Sequence, residues 1–260
     1  MSQTIAEQVI VLKERTASRA PAEIVAVFDA EQAGLDAAGI PPGIPVPGTR
    51  MPDGELLDAA GVATTLAAIR DGAPAVVVFY RGAWCPYCSL ALRTYEAQLV
   101  PVLAERGVKL IAISPQKPEG SITTQERNKL SYVVVSDPGS KIAAELGILT
   151  APTADAAAAQ TKLGLDVKNV NADGSNTLPM PTVVVVDTEG VIRWIDAHPN
   201  YSTRSEPADI LAAVTAAIHR RSYDRPRFSA ATVSRRPSTS WRQPRSSTTR
   251  ARSTRVPDTA

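Results

Sequence analysis

The sequence predicts an α/β fold: a central mixed sheet flanked by helices, preceded by a helical extension and followed by a basic tail. Three observations predict it. The runs 75–80, 108–113 and 182–187 are dominated by Val, Ile and other apolar residues, broken only at Lys109 and at the ends Thr182 and Asp187, as central strands covered on both faces are. Stretches with helical spacing alternate with them, which is the element order of an α/β architecture. No apolar stretch approaches the roughly 18 residues of a membrane span. The 44% hydrophobic and 21% charged residues suit a globular chain with a sizeable core.

In chain order, Ile5, Val9 and Leu12 repeat at helical spacing over residues 4–15. Pro21 opens a second helical pattern through Ile24, Val27 and Phe28, which Gly34 can close. Residues 39–54 hold five prolines and four glycines, a composition that fits neither helix nor central strand and reads as a connector. Asp53-Gly54 reads as a turn, and residues 63–69 as a helix. Then follow strand 75–80, helix 86–105, strand 108–113, helix 121–129, strand 132–136 and helix 140–146. Residues 151–176 have weak periodicity and read as a helix fragment plus loop. Strand 182–187, a turn at 188–190 and strand 191–195 form a hairpin, and Ile210, Val214 and Ile218 mark a helix over 207–220 behind Pro207. The expected organisation is an extension and linker over 1–45, the main domain over 46–222, and a tail over 223–260.

The formal net charge of +2 hides an asymmetry. From Arg221 onward ten arginines face Asp224 and Asp258, a net of +8, so residues 1–220 carry −6. An acidic body does not suit a nucleic-acid surface, and any such contact is confined to the tail. The tail's Arg, Ser, Thr and Pro bury too little apolar surface to offset ordering, so disorder is expected there. The start of the chain lacks the basic-then-apolar pattern of a signal peptide, which makes the cytoplasm the expected location and excludes a membrane partner.

The only two cysteines are Cys85 and Cys88, in Trp84-Cys85-Pro86-Tyr87-Cys88 directly after the first Val-rich run. In a reducing compartment this spacing points to redox chemistry rather than to a structural staple. A helix starting here places Pro86 in the first turn, where its missing N–H costs nothing. Cys85 then becomes the N-cap, facing unpaired N–H groups and the positive end of the helix dipole, which favour a thiolate and lower the pKa from roughly 8.5. That makes Cys85 the candidate nucleophile and Cys88, one turn along, the resolving thiol. Trp84 and Tyr87 flank the pair as candidate contacts for a substrate or partner, and Arg81 as a candidate thiolate stabiliser. A zinc site needs four ligands, and only His198 and His219 could join the sulfurs. Haem attachment is excluded, because Ser89 stands where that motif needs His.

Trp-Cys-x-x-Cys at a strand end resembles the thioredoxin superfamily, and Cys85-Pro86-Tyr87-Cys88 is identical to the site of many glutaredoxins. Met180-Pro181-Thr182, running into Val183 to Asp187, resembles that superfamily's proline before a central strand. The 96 positions between Cys85 and Pro181 are too many for a plain thioredoxin or glutaredoxin. They look like the insertion of peroxiredoxins of the alkyl hydroperoxide reductase/thiol-specific antioxidant type. The resemblance covers about residues 46–220 and implies a thioredoxin-like fold. It also implies a cis bond before Pro181, with Met180 offering its backbone to substrate and Thr182 beside it. Two departures stand out. Gly82 and Val78 occupy the positions of that family's Thr or Ser and its Pro, and Pro181 stands where it has an arginine. Arg81 and Arg93 are then the candidates to supply the missing charge.

The resemblance implies a thiol-dependent antioxidant oxidoreductase that reduces hydroperoxides through a Cys85/Cys88 disulfide, with a thioredoxin or glutathione system as reductant and no metal or organic cofactor. A homodimer is left open. The alternatives are a thioredoxin- or glutaredoxin-like disulfide oxidoreductase and a non-catalytic redox sensor.

Overall fold

The computed structural model describes residues 3–224, with side chains described through Ala217. Two helices come first, α1 (Ile5–Ala17) and α2 (Ala22–Ala38). A capping box between Thr4 and Glu7 closes the start of α1. Gly34 does not end α2 as its position predicts, because one helical glycine costs only about 1 kcal/mol. Termination waits for Gly39, at φ +67°, and for the prolines behind it.

The connector leads into β1 (Glu55–Leu57) and β2 (Ala63–Thr65), an antiparallel pair at one sheet edge, then α3 (Leu66–Arg70). The helix predicted over 63–69 therefore starts three residues late. Thr64 and Thr65 are β-branched and pair with β1, and the Thr65 hydroxyl then caps α3 by accepting from Ala68 N–H at 3.1 Å.

Next come β3 (Ala75–Phe79), α4 (Pro86–Gln98), α5 (Val100–Glu105), β4 (Lys109–Ser114), α6 (Pro118–Asn128), β5 (Val133–Ser136) and α7 (Lys141–Glu145). Pro101 divides the single helix predicted over 86–105, since a proline inside a helix loses an N–H and collides with the preceding turn. Between α7 and the last strands lie β6 (Leu149–Thr150), α8 (Ala154–Lys162), α9 (Val167–Val170) and β7 (Leu178–Pro179). The short pair β6–β7 carries no sequence signal. The order closes with β8 (Thr182–Val186), β9 (Ile192–Ala197) and α10 (Pro207–Asp224). α10 takes in Tyr223 and Asp224 from the stretch assigned to the tail, whose remainder lies outside the described residues.

The main sheet has the order β2-β1-β5-β4-β3-β8-β9. β3, β4 and β5 are parallel, while β8 runs antiparallel to β3 and β9 to β8. The mixed sheet flanked by helices is the predicted thioredoxin-like architecture. Strand alternation sends Val76, Val78, Ala112, Val134, Val183 and Val185 to one face, where they pack with α4, α10 and both cysteines. Val77, Phe79, Ile111, Ile113, Val184 and Val186 face the other side, against Leu66 and Ile142. Ile5 and Val9 of α1 join the first cluster, so the N-terminal extension shares the core that holds the cysteines. Among the described residues no helix is long and apolar enough to cross a membrane.

Candidate active site

The dithiol sits where central strand β3 hands over to α4. Cys85 is the N-cap (φ −84°, ψ 114°) and Pro86 opens the first turn, as the spacing predicts. Cys85 Sγ accepts the Cys88 N–H at 3.4 Å, and the two side chains hydrogen-bond to each other as free thiols. The approach is tight: a Cβ on Gly82 would lie 2.5 Å from Trp84 Nε1 and 2.8 Å from Gln116 Cδ, so only glycine fits. Gln116 Oε1 accepts the Ala83 N–H at 2.7 Å and pins the turn.

Both sulfurs are sealed, at 1% relative exposure each. The loop 198–206 places Arg204 against Cys88 and is tied to α2 by side-chain hydrogen bonds. Tyr201 O–H donates to Glu31 Oε2 at 2.8 Å, Asn200 Nδ2 to Asp36 Oδ2 at 2.7 Å, and Gln32 hydrogen-bonds Tyr87. The rings of Tyr87 and Tyr201 lie 6.3 Å apart. Pro86 is exposed, whereas Trp84 and Tyr87 are half-buried.

Arg81 is buried, its guanidinium 4.0 Å from the Tyr201 ring centroid and 5.1 Å from that of Trp84. Its charge bears on both sulfurs. Arg93 instead donates to Asn128 Oδ1 at 3.0 Å, from an exposed position. The cation missed in the sequence is Arg204, whose Nη2 lies 3.0 Å from Cys88 Sγ. Its Nη1 donates to the Tyr201 and Thr203 carbonyls, both at 2.6 Å, which aims the guanidinium at the sulfur. Nothing local marks Arg204 in the sequence: it stands in a polar loop, 116 residues from its partner.

The loop is held on all sides. Tyr95 O–H donates to Ser205 O at 2.8 Å, Ser205 Oγ to Asp196 Oδ2 at 2.7 Å, and His198 Nε2 lies 2.9 Å from the same carboxylate oxygen. His198 is thus committed away from the sulfurs, and the side chain of His219 lies outside the described residues. Among the described residues no three His, Cys, Asp or Glu side chains converge as a metal site.

The electrostatics reverse the expected assignment of charge. Burial pushes the Cys85 thiol well up, helped by its hydrogen bond to Cys88 and the negative charge there, against the pull of Arg204 and Arg81. Cys88 is held well below the ordinary thiol range. Burial opposes this, but the Cys85 hydrogen bond, the Arg204 charge, the Arg81 backbone N–H and the Arg81 charge outweigh it. The N-cap geometry expected at Cys85 is present, yet one N–H at 3.4 Å is a weaker partner than a guanidinium at 3.0 Å.

Pro181 and Thr182 share a cavity wall with Cys88 but not with Cys85. With Cys88, Arg204, Tyr95 and Val78 they line a small cavity of ≈ 10 Å³, room for roughly one water molecule. Two expectations for this segment need correction. Every described peptide bond is trans, including the one before Pro181, which lies between β7 and β8. Met180 also does not offer its N–H to substrate: that group donates to Ile148 O at 2.7 Å, while its carbonyl accepts Thr182 Oγ1 at 3.0 Å.

The AhpC/TSA family model matches residues 47–195. No curated protein matches the chain. Among solved structures, peroxidoxin BcpB from Mycobacterium tuberculosis is 22% identical, with a TM-score of 0.50 over 65% of this chain and 96% of its own. Reduced Prx3 from Vibrio vulnificus, in complex with hydrogen peroxide, is 18% identical, with a TM-score of 0.53 over 65% and 99%. A peroxiredoxin-like protein from Aquifex aeolicus is 15% identical, with a TM-score of 0.51 over 65% and 86%. At these identities the likeness is one of fold.

Proposed function

The chain belongs to the AhpC/TSA family of thiol peroxidases, and from that premise we propose that it reduces hydroperoxides through a dithiol–disulfide cycle of Cys85 and Cys88. The observation that carries this reading is the pair itself: two free, hydrogen-bonded sulfurs at a helix start, with a guanidinium 3.0 Å away and a cavity beside them. A thiolate of the pair attacks one peroxide oxygen, the O–O bond breaks, and a sulfenic acid forms as an alcohol or water leaves. The second sulfur condenses with the sulfenic acid, releases water and closes the disulfide. A dithiol or thiol reductant of the thioredoxin or glutathione type then returns two electrons. Arg204 and Arg81 take over the charge that the family's usual arginine would supply at the position of Pro181. Trp84, Pro86, Tyr87 and Thr182 shape the surroundings of the pair. A reducing compartment such as the cytoplasm suits this cycle, with a homodimer as the assembly to test.

The glutaredoxin-like motif favours a second reading, the reduction of protein or glutathione disulfides. Burial of both sulfurs and the committed N–H of Met180 weigh against it, since a disulfide partner needs direct access to the sulfur and a main-chain donor to pair with. Stopped-flow mixing of the reduced chain with hydrogen peroxide, followed by Trp84 fluorescence, tests the choice. Rapid oxidation that is absent in the Cys85→Ser/Cys88→Ser double variant is the expected result. Slow peroxide oxidation beside fast reduction of a glutathione mixed disulfide would replace the first reading by the second, and inertness in both assays would leave a redox sensor.

A further inference from the structure

Building on the dithiol reading above, we propose that Cys88 is the attacking sulfur and Cys85 the resolving one, with Arg204 as the counter-ion that sets this order.

Two sulfurs in hydrogen-bond contact in a dry site do not both ionise, so the resting pair carries one negative charge and one proton. Where the charge settles depends on the partners. Cys85 has the Cys88 N–H at 3.4 Å. Cys88 has the Arg204 Nη2 at 3.0 Å, the Arg81 backbone N–H and the Cys85 thiol. A charge-assisted contact is about twice as strong as a neutral one. Arg204 can also be relied on to stay charged, because its guanidinium is fixed by two loop carbonyls beside the sulfur.

Access points the same way. The cavity at the site is lined by Cys88, Arg204, Pro181 and Thr182, and Cys85 is not part of its wall. A peroxide entering it meets the Cys88 sulfur with the Arg204 N–H groups alongside, which are placed to stabilise charge on the departing oxygen.

The balance closes with these groups alone. Cys88 thiolate attacks the terminal peroxide oxygen, a S–O bond forms, the O–O bond breaks and an alkoxide, or hydroxide from hydrogen peroxide, leaves. The Cys85 thiol supplies the proton that turns the leaving group into an alcohol or water. The Cys85 thiolate so formed then attacks the Cys88 sulfenic sulfur, a S–S bond forms and hydroxide leaves. The dithiol is oxidised by two electrons and the peroxide reduced by two.

Intramolecular competition tests the order without any variant. Reduced full-length chain is alkylated with limiting iodoacetamide from pH 5 to 9, and the label at each cysteine is quantified by peptide mass spectrometry. The expected result is that Cys88 reaches half its plateau rate at a lower pH than Cys85 and carries about tenfold more label at pH 6. Arg204→Met should cut that preference about tenfold and Arg204→Lys restore part of it, with circular dichroism confirming that both fold. With hydrogen peroxide and dimedone, Cys85→Ser, which lacks the proton donor and the resolving thiol, should still collect the sulfenic adduct on Cys88, whereas Cys88→Ser should collect little on Cys85. Preferential alkylation of Cys85 at low pH, or adduct formation on Cys85 in Cys88→Ser at the wild-type rate with Cys85→Ser inert, would overturn the order. Cys88-selective alkylation in a chain inert to peroxide would instead leave the order standing and remove the peroxidase reading beneath it.

Discussion

Tyr201 donates its phenolic O–H to Glu31 Oε2 at 2.8 Å, which ties helix α2 to the loop that presents Arg204. Glu31 also accepts from the Thr153 N–H at 2.9 Å, so one buried carboxylate joins three separate parts of the chain over the dithiol. Tyr201 in turn lies face-on to the Arg81 guanidinium, linking this cover to the charge around the sulfurs.

Replacing Glu31 with Ala removes the acceptor of the Tyr201 phenol and of the Thr153 N–H, at a cost of about 2 kcal/mol. Urea denaturation should show the lower midpoint. Native-state iodoacetamide labelling of both cysteines should accelerate, because local opening of α2 exposes the pair. Unchanged labelling would mean that α2 is not what seals the sulfurs.

Gly82→Ala brings a Cβ to within 2.5 Å of Trp84 Nε1. The indole must move, and Gln116, which holds the Ala83 N–H, is also in the way. A loss of about 1–3 kcal/mol is expected. A shifted tryptophan emission maximum should accompany it, and an unshifted spectrum at wild-type stability would contradict the close approach.

The Asp196 carboxyl is held below the ordinary carboxylate range by the hydrogen bond from His198, then, against the effect of burial, by that from Ser205. A carboxylate depressed on folding contributes stability that is complete above its unfolded value of about 3.9. That stability is lost as the pH falls through the lower folded value. Asp196→Asn should therefore flatten the acid limb of a stability–pH profile below about pH 4. It should also loosen Ser205 and the neighbouring Arg204, visible as a weaker preference for alkylation at Cys88.

Glu206 accepts the N–H groups of Ile5 and Ala6, both at 2.9 Å, and so fastens the start of α1 from a distant part of the chain. Glu206→Ala should cost about 1 kcal/mol. Hydrogen exchange should rise in the first turn of α1 before it rises in the central strands, and uniform exchange across the fold would argue against this local anchor.

Much of the fold was legible because its signals are short-range. Val76 to Phe79 and Val183 to Val186 are apolar at every position, and only strands covered on both faces require that. The handover from strand to helix at Cys85-Pro86 was equally legible, since cap and first-turn chemistry lies within four residues. Gly34 and Ala63 to Thr65 were misread for the opposite reason: pairing with β1 and the continued run of α2 outweighed weak local preference.

By itself the sequence determined that two thiols stand one helical turn apart at the end of a central strand, because spacing along the chain fixes that geometry wherever the helix forms. Only the tertiary structure decided which charged groups stand beside each sulfur and how water is kept from both. Arg204, Glu31 and Tyr201 reach the site from loops and helices far away in sequence, and an electrostatic partner is set by distance through space, not by position along the chain.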